Sequence, residues 1–232
     1  MLLLFGLACL NAVEPLEAIR QAGAEGKYTL ICVWRDNKPE TQDFRRRFAE
    51  VAAAEKARAV IIDAKSDFDD ATIELTRKLQ LQRAPMPLVL AIAPNGAITK
   101  AFPKIPADGF ASAFISPALA SCLKAMQDNR MAVISIGSAT LPGSVETQAT
   151  AQAFVGKPGK EIYRALVPIE PAAAAELFKI LDLPLNIDAA MIVLLVPPGQ
   201  ELATFRHPVS MEQMDAALAK AMSSGCGPWC CQ

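Results

Sequence analysis

Histidine is almost missing from this chain. His207 stands alone among 232 residues, which excludes a catalytic or metal-binding cluster built from several imidazoles. An excess of charge of either sign is missing too. The 23 basic and 24 acidic side chains are spread along the sequence, so no electrostatic face for nucleic acid or anionic lipid is expected. No apolar run reaches the roughly 20 residues that a transmembrane helix needs, so no membrane span is expected beyond a short N-terminal segment. Neither a phosphate-binding loop nor a dinucleotide fingerprint is present. Asp63, Asp67, Asp69 and Asp70 crowd together but lack the central glycine and terminal glutamate of a calcium loop, and they read as turn and capping residues.

What the chain does have is apolar bulk. About half of it (52%) is hydrophobic, and its length suits two domains of roughly 100 residues each. Residues 1–12 begin with the run Leu2 to Leu10, which has the length of a secretory signal core, and Ala12 suits the small-residue rule for cleavage. The expected location is therefore periplasmic or secreted. Lipid attachment at Cys9, in Leu7-Ala8-Cys9, is the alternative.

After this segment the pattern alternates between helix and strand periods. Pro15 to Glu25 reads as a helix, with Leu16, Ile19 and Ala22 on one side and Gly26 as its stop. Tyr28 to Val33 is a buried strand, Pro39 to Ala57 a helix, Ala59 to Asp63 a strand and Asp69 to Leu79 a helix with Ile73 and Leu75 to Leu79 facing the core. Leu88 to Ala93 and Ala97 to Phe102 form a hairpin around Asn95-Gly96. Ala107 to Phe114 is expected to close the unit as a helix. Such an order needs a mixed sheet covered on both faces.

The second half repeats the first at an offset of 103 residues, which carries Leu30-Ile31 onto Val133-Ile134, Pro39 onto Pro142, Pro94 and Gly96 onto Pro197 and Gly199, and Phe102 onto Phe205. Matching prolines and glycines mark the same backbone requirements. The copy reads as a helix at Pro117 to Gln127, a strand at Met131 to Ile136, a weak helix at Val145 to Val155 and a strand at Tyr163 to Pro168. A helix at Pro171 to Leu181, a hairpin from Met191 to Phe205 and a helix at Met211 to Met222 complete it. The expected division is a first domain at 13–115, a second at 116–222 and a tail at 223–232.

The stretch Trp34-Arg35-Asp36-Asn37-Lys38-Pro39-Glu40, lying between a strand and a helix that opens with proline, resembles the active-site turn of thioredoxin-like domains. The resemblance covers nearly all of the chain after Ala12, in two copies, and implies an α/β fold with two mixed sheets flanked by helices. In that family a helix N-terminus lowers the pKa of the first of two cysteines. Placed through the proline, those cysteine positions fall on Asn37 and Glu40, and in the second copy on Thr140 and Gly143, so neither site can form a disulfide. The resemblance also implies a cis-proline before the third strand. Pro87 best matches it, Pro85 is the runner-up, and the second copy has Ala190 there.

Read from residue chemistry alone, Asn37 and Glu40 form a capping box that stabilises the helix start by about 1 kcal/mol. The binding alternative is a groove in which Trp34, Asp36, Asn37, Glu40, Pro85 and Pro87 contact a protein or peptide partner. Arg45-Arg46-Arg47 read as a solvated helix face, and His207 as an exposed turn before Pro208.

Of six cysteines, Cys226, Cys230 and Cys231 crowd into the last seven residues. Their thiols suit a soft metal such as Cu(I) or Zn(II), disulfide exchange or a covalent tether, and equally a plain Cys226–Cys230 disulfide. Cys32 and Cys122, within a strand and a helix, read as buried and unreactive. The sequence thus favours a binding or scaffold protein of the cell envelope without a cofactor and without catalysis at the family site. Thiol exchange or metal handling by the tail is the alternative.

Overall fold

The computed structural model describes residues 15–66, 70–79, 81–157, 164–180 and 187–223. The expected signal segment, Asp67, Asp69 and the tail cysteines lie outside the described residues. The chain divides into two compact units, up to Phe114 and from Ile115.

In the first unit, α1 (Pro15–Ala24) leads into β1 (Tyr28–Trp34), α2 (Pro39–Ala52), β2 (Ala59–Lys65), α3 (Asp70–Lys78), β3 (Leu88–Ile92) and β4 (Ile98–Phe102). The second has α4 (Pro117–Gln127), β5 (Met131–Ile136), α5 (Ser144–Gly156), β6 (Arg164–Ile169), α6 (Pro171–Ile180), β7 (Met191–Val196), β8 (Gln200–Arg206) and α7 (Met211–Ser223). Both units build a four-stranded sheet of the same topology, β2-β1-β3-β4 and β6-β5-β7-β8. The first pair of strands in each is parallel and the others are antiparallel.

The central strands explain this layering. β1 is buried from Thr29 to Trp34 and β5 along its whole length, so each must be covered on both faces. In the first unit Leu30, Cys32 and Trp34 pack toward Phe48 of α2 and toward Phe102 and Phe110. Phe110 meets Phe48 and Phe102 edge-on, at ring-centre distances of 5.9 and 5.2 Å. Ile31 and Val33 take the opposite face, against Leu75, Leu88, Leu90 and Ile92. In the second unit Ile134 and Ile136 pack on Leu119, Cys122, Leu177 and Phe178. Met131 and Val133 face Ala151, Phe154, Met214 and Leu218.

The repeat is visible in the backbone. Gly26 ends α1 at φ 69°, with Lys27 N donating to Ala22 O at 2.8 Å. Asn129, at φ 55°, ends α4 with the same bond from Arg130 N to Ala125 O at 2.8 Å. Thr29↔Ile92 in one sheet corresponds to Ala132↔Leu195 in the other.

Several expectations need correction. Residues 107–114 form only the short 3-10 turn Ala111–Ala113, because Pro103, Pro106 and Gly109 interrupt the approach and leave no room for a full helix. Ile73 is 50% exposed rather than core-facing; α3 turns Thr72, Leu75 and Thr76 inward instead. Asp63 is not a turn residue but lies within β2. The offset of 103 carries β1 onto β5, whereas Ala59 pairs with Tyr28 and Arg164 with Met131, so the second parallel strand has slid by two residues. That slip falls between the strands, where α5 starts at Ser144 and Pro142 is left in the preceding turn.

These orientations predict unequal costs. Phe154→Ala should lose about 3–5 kcal/mol of stability, while Ile73→Ala should stay within about 0.5 kcal/mol; urea unfolding of both variants checks this.

Candidate functional site

In each unit the site starts where the central strand emerges and the next helix begins. In the first unit Asp36 organises the turn. Its Oδ1 accepts from Lys38 N at 3.3 Å and from Thr41 Oγ1 at 2.7 Å, while Lys38 Nζ approaches Oδ2 at 2.9 Å. The Thr41 hydroxyl, followed by Lys38, holds the Asp36 carboxyl below its ordinary pKa. The expected capping box is absent. Lys38 occupies the N-cap without a side-chain cap bond, and Asn37 contributes its carbonyl, which accepts from Gln42 Nε2 at 2.8 Å. An aspartate one residue earlier does the work assigned to Asn37 and Glu40, because its shorter reach to Lys38 N closes the turn locally.

Trp34 lies in the core, 8% exposed, and so does not form the wall of an open groove. The Arg45 guanidinium stacks 4.0 Å from its ring centre and donates to both oxygens of Asp63, from Nε at 3.2 and 3.0 Å and from Nη2 at 2.5 Å. Arg45 therefore leaves the solvated face expected for the three arginines. Arg46 remains on that face, paired with Asp43 and Glu50. Asn37, Glu40 and Pro85 are exposed, and Asp36 and Pro87 are half-buried. The Met86–Pro87 bond is cis. The ladder ends at Val33↔Leu88, which places Pro87 beside the start of the turn.

The second unit treats the same place differently. Gly143 caps α5 at φ 74°, and a Cβ there would come 2.1 Å from His207 Cγ. His207 is thus packed against the helix start, with Nδ1 3.4 Å from Thr147 Oγ1, and is not an exposed turn. Thr140 is exposed. Ala190, at the position matching Pro87, has both backbone groups engaged: its N–H donates to Pro142 O at 3.0 Å and its carbonyl accepts from His207 N at 2.8 Å.

On the other side of α5's first turn lies a cavity of about 340 Å3, lined among others by Ser135, Gly137, Ser144, Gln148, Pro168 and Glu170. Sequence reasoning missed it. The signal was available in the repeat, where Ser135 and Gly137 stand in place of Cys32 and Trp34 and a bulky pair becomes a small one.

Cys32 and Cys122 are buried free thiols, and burial pushes each up from an ordinary value near 9.0 to about 12. Neither lies at the family's thiol positions. Among the described residues no group of three or more His, Cys, Asp or Glu side chains could hold a metal ion. None of the described helices is long and apolar enough to cross a membrane.

Strand order, strand direction and helix placement make this protein two thioredoxin-like domains in tandem, of α/β class. No family model matches the chain. A search of curated proteins finds no match either. Similar solved structures include human ERp44 in its zinc-bound form, at 11% identity over 89% of this chain and 58% of that one, with a TM-score of 0.34. The first two thioredoxin domains of Saccharomyces cerevisiae Eps1p align at 12% identity over 88% of this chain and 96% of theirs, with a TM-score of 0.31. The Drosophila melanogaster thioredoxin Deadhead aligns at 17% identity over 36% of this chain and 73% of its own, with a TM-score of 0.29.

Thiol reactivity, the pH dependence of stability and unfolding each test this burial. With Cys9, Cys226, Cys230 and Cys231 replaced by serine, Cys32 and Cys122 should resist a thiol reagent at pH 8 in the folded protein and react fully in guanidinium. The raised folded-state pKa also fixes a sign: both thiols ionise first in the unfolded chain, so their contribution to stability is complete below about pH 9 and is lost as pH rises toward 12. Trp34→Ala should behave as a core truncation, losing about 3–5 kcal/mol in chemical unfolding.

Proposed function

We propose that this thioredoxin-superfamily protein is a non-catalytic binding or scaffold protein of the cell envelope, and that the first unit holds an extended segment of a protein partner. The observation that carries the reading is the pairing of an exposed turn, Asn37 to Glu40, with the half-buried Pro87 beside it, at a place where no thiol is present. An exposed turn beside the end of a strand pair is suited to recognition of an extended peptide. In the second unit the matching backbone at Ala190 is already engaged, which favours the first unit as the binding one. Asn37, Glu40 and Pro85 supply the accessible side chains, while Asp36 and Trp34 hold the surface in place from behind.

A fluorescence-polarisation screen of extended peptides tests this. Binding should weaken at least tenfold in Asn37→Lys and Glu40→Lys, both of which keep the fold, and should survive serine replacement of the tail cysteines. Equal affinity in wild type and both turn variants would count against the surface.

A second reading rests on Cys226, Cys230 and Cys231, half of all the cysteines placed within seven residues. Under it the protein exchanges disulfides or handles Cu(I) or Zn(II) through the tail. Insulin reduction or Cu(I) binding should then vanish in the triple serine variant, and an activity that persists there would end that reading.

A further inference from the structure

The cavity in the second unit is lined by Ser135 and Gly137, which the repeat sets in the positions of Cys32 and Trp34 in the first. Cys32 pairs with Asp63 across the parallel strands, and Ser135 pairs with Pro168 in the same way. Two residues further along, the Trp34 indole is roofed by Arg45 of α2, which is itself held by Asp63. The corresponding residue is Gly137, against which the Ser144 side chain packs, and Pro168 stands where Asp63 holds the roof. Gln148 takes the position offset from Arg45 and lines the void.

The walls carry unused donors. Ser135 is 4% exposed and lines the cavity, and among the described residues its hydroxyl has no hydrogen-bond partner. No side chain caps α5. Its first N–H groups divide unevenly: that of Ser144 reaches Leu141 O at 3.3 Å and that of Thr147 reaches Gly143 O at 2.9 Å. Those of Val145 and Glu146 have no partner among the described residues, and of the two only Val145 lines the cavity. Ser144 cannot serve them, since its Oγ accepts from Ser138 N at 3.1 Å and donates to Leu141 O at 2.8 Å. The apolar part of the lining comes from Val145, Pro168 and Ile169, and Val145 itself is 79% exposed at the helix start.

We propose that this cavity binds a small aromatic carboxylate. The ring lies against Val145, Pro168 and Ile169, and the carboxylate accepts from Ser135 Oγ and from the Val145 amide at the positive end of α5. The volume lies at the lower end of the small-molecule range, large enough for a one- or two-ring acid. Glu170 is the one charged residue in the lining and repels the carboxylate. It thereby limits affinity and sets against multiply charged anions such as phosphate. This site is separate from the peptide surface on the first unit and stands or falls independently of it.

The experiment is NMR titration of the full chain with benzoate, indole-3-acetate, indole, acetate and inorganic phosphate, following the amides of residues 135–148. Benzoate or indole-3-acetate should saturate these shifts, while acetate and phosphate should bind at least tenfold more weakly, and indole, which lacks the acceptor, likewise. Ser135→Ala should weaken the carboxylate at least fivefold, Glu170→Gln should tighten it, and Gly137→Trp should abolish binding by crowding the lining, since even a Cβ there would lie 3.0 Å from Ser144 Oγ. Ser135→Ala and Glu170→Gln are mild enough to keep the proposal testable if Gly137→Trp fails to fold. Absence of shifts with either aromatic acid at 10 mM overturns the proposal. So does equal binding of indole and indole-3-acetate, or affinity unchanged in both mild variants.

Discussion

Double-sided burial of one strand in each unit is the constraint from which the other features follow. β1 and β5 bond to neighbours along both edges and carry apolar side chains on both faces. Helices must therefore lie above and below, and the chain regains contact with water only past Trp34 and Ile136. Irregular backbone is tolerated there because its polar groups can be satisfied by short side chains or solvent. The sites of both units consequently sit at the same end of the same strand, whatever chemistry each retains.

From that shared starting point the units diverge by substitution of volume. In the first, the indole and guanidinium close the space beneath the helix, and an aspartate ties down the turn. In the second, glycine and serine at those strand positions line a cavity, and the helix start is also packed by His207 and tied by the bonds at Ala190. One domain is filled on the inner side and accessible beside its proline. The other reverses that distribution. A duplicated fold thus presents two unlike surfaces without altering its strand order.

The strands and most helices were legible because their signals are local: continuous β-branched runs for β1 and β5, and Pro117 with Ser116 before it for α4, whose boundaries the periodicity gives directly. The repeat made the topology legible as well, since Phe102 and Phe205 mark equivalent pairs in the two hairpins. What escaped was tertiary. Nothing local distinguishes Arg45 from Arg46, yet only the first reaches Asp63 on β2. Likewise Asp36 and Asn37 are both good turn formers, and the choice between them depends on Thr41 one helical turn later. His207 and Gly143 are far apart in sequence, so neither announces the contact. The cavity needed two facts at once, the repeat register and the size of the residues on it.

The roof that Arg45 makes over Trp34 has an optical consequence. The sequence contains only two tryptophans, Trp34 and Trp229. Trp34 is held in a dry, cation-capped setting inside one unit, whereas the core of the other unit contains no indole among its described residues. In a Trp229→Phe variant, indole emission therefore reports on the first unit alone.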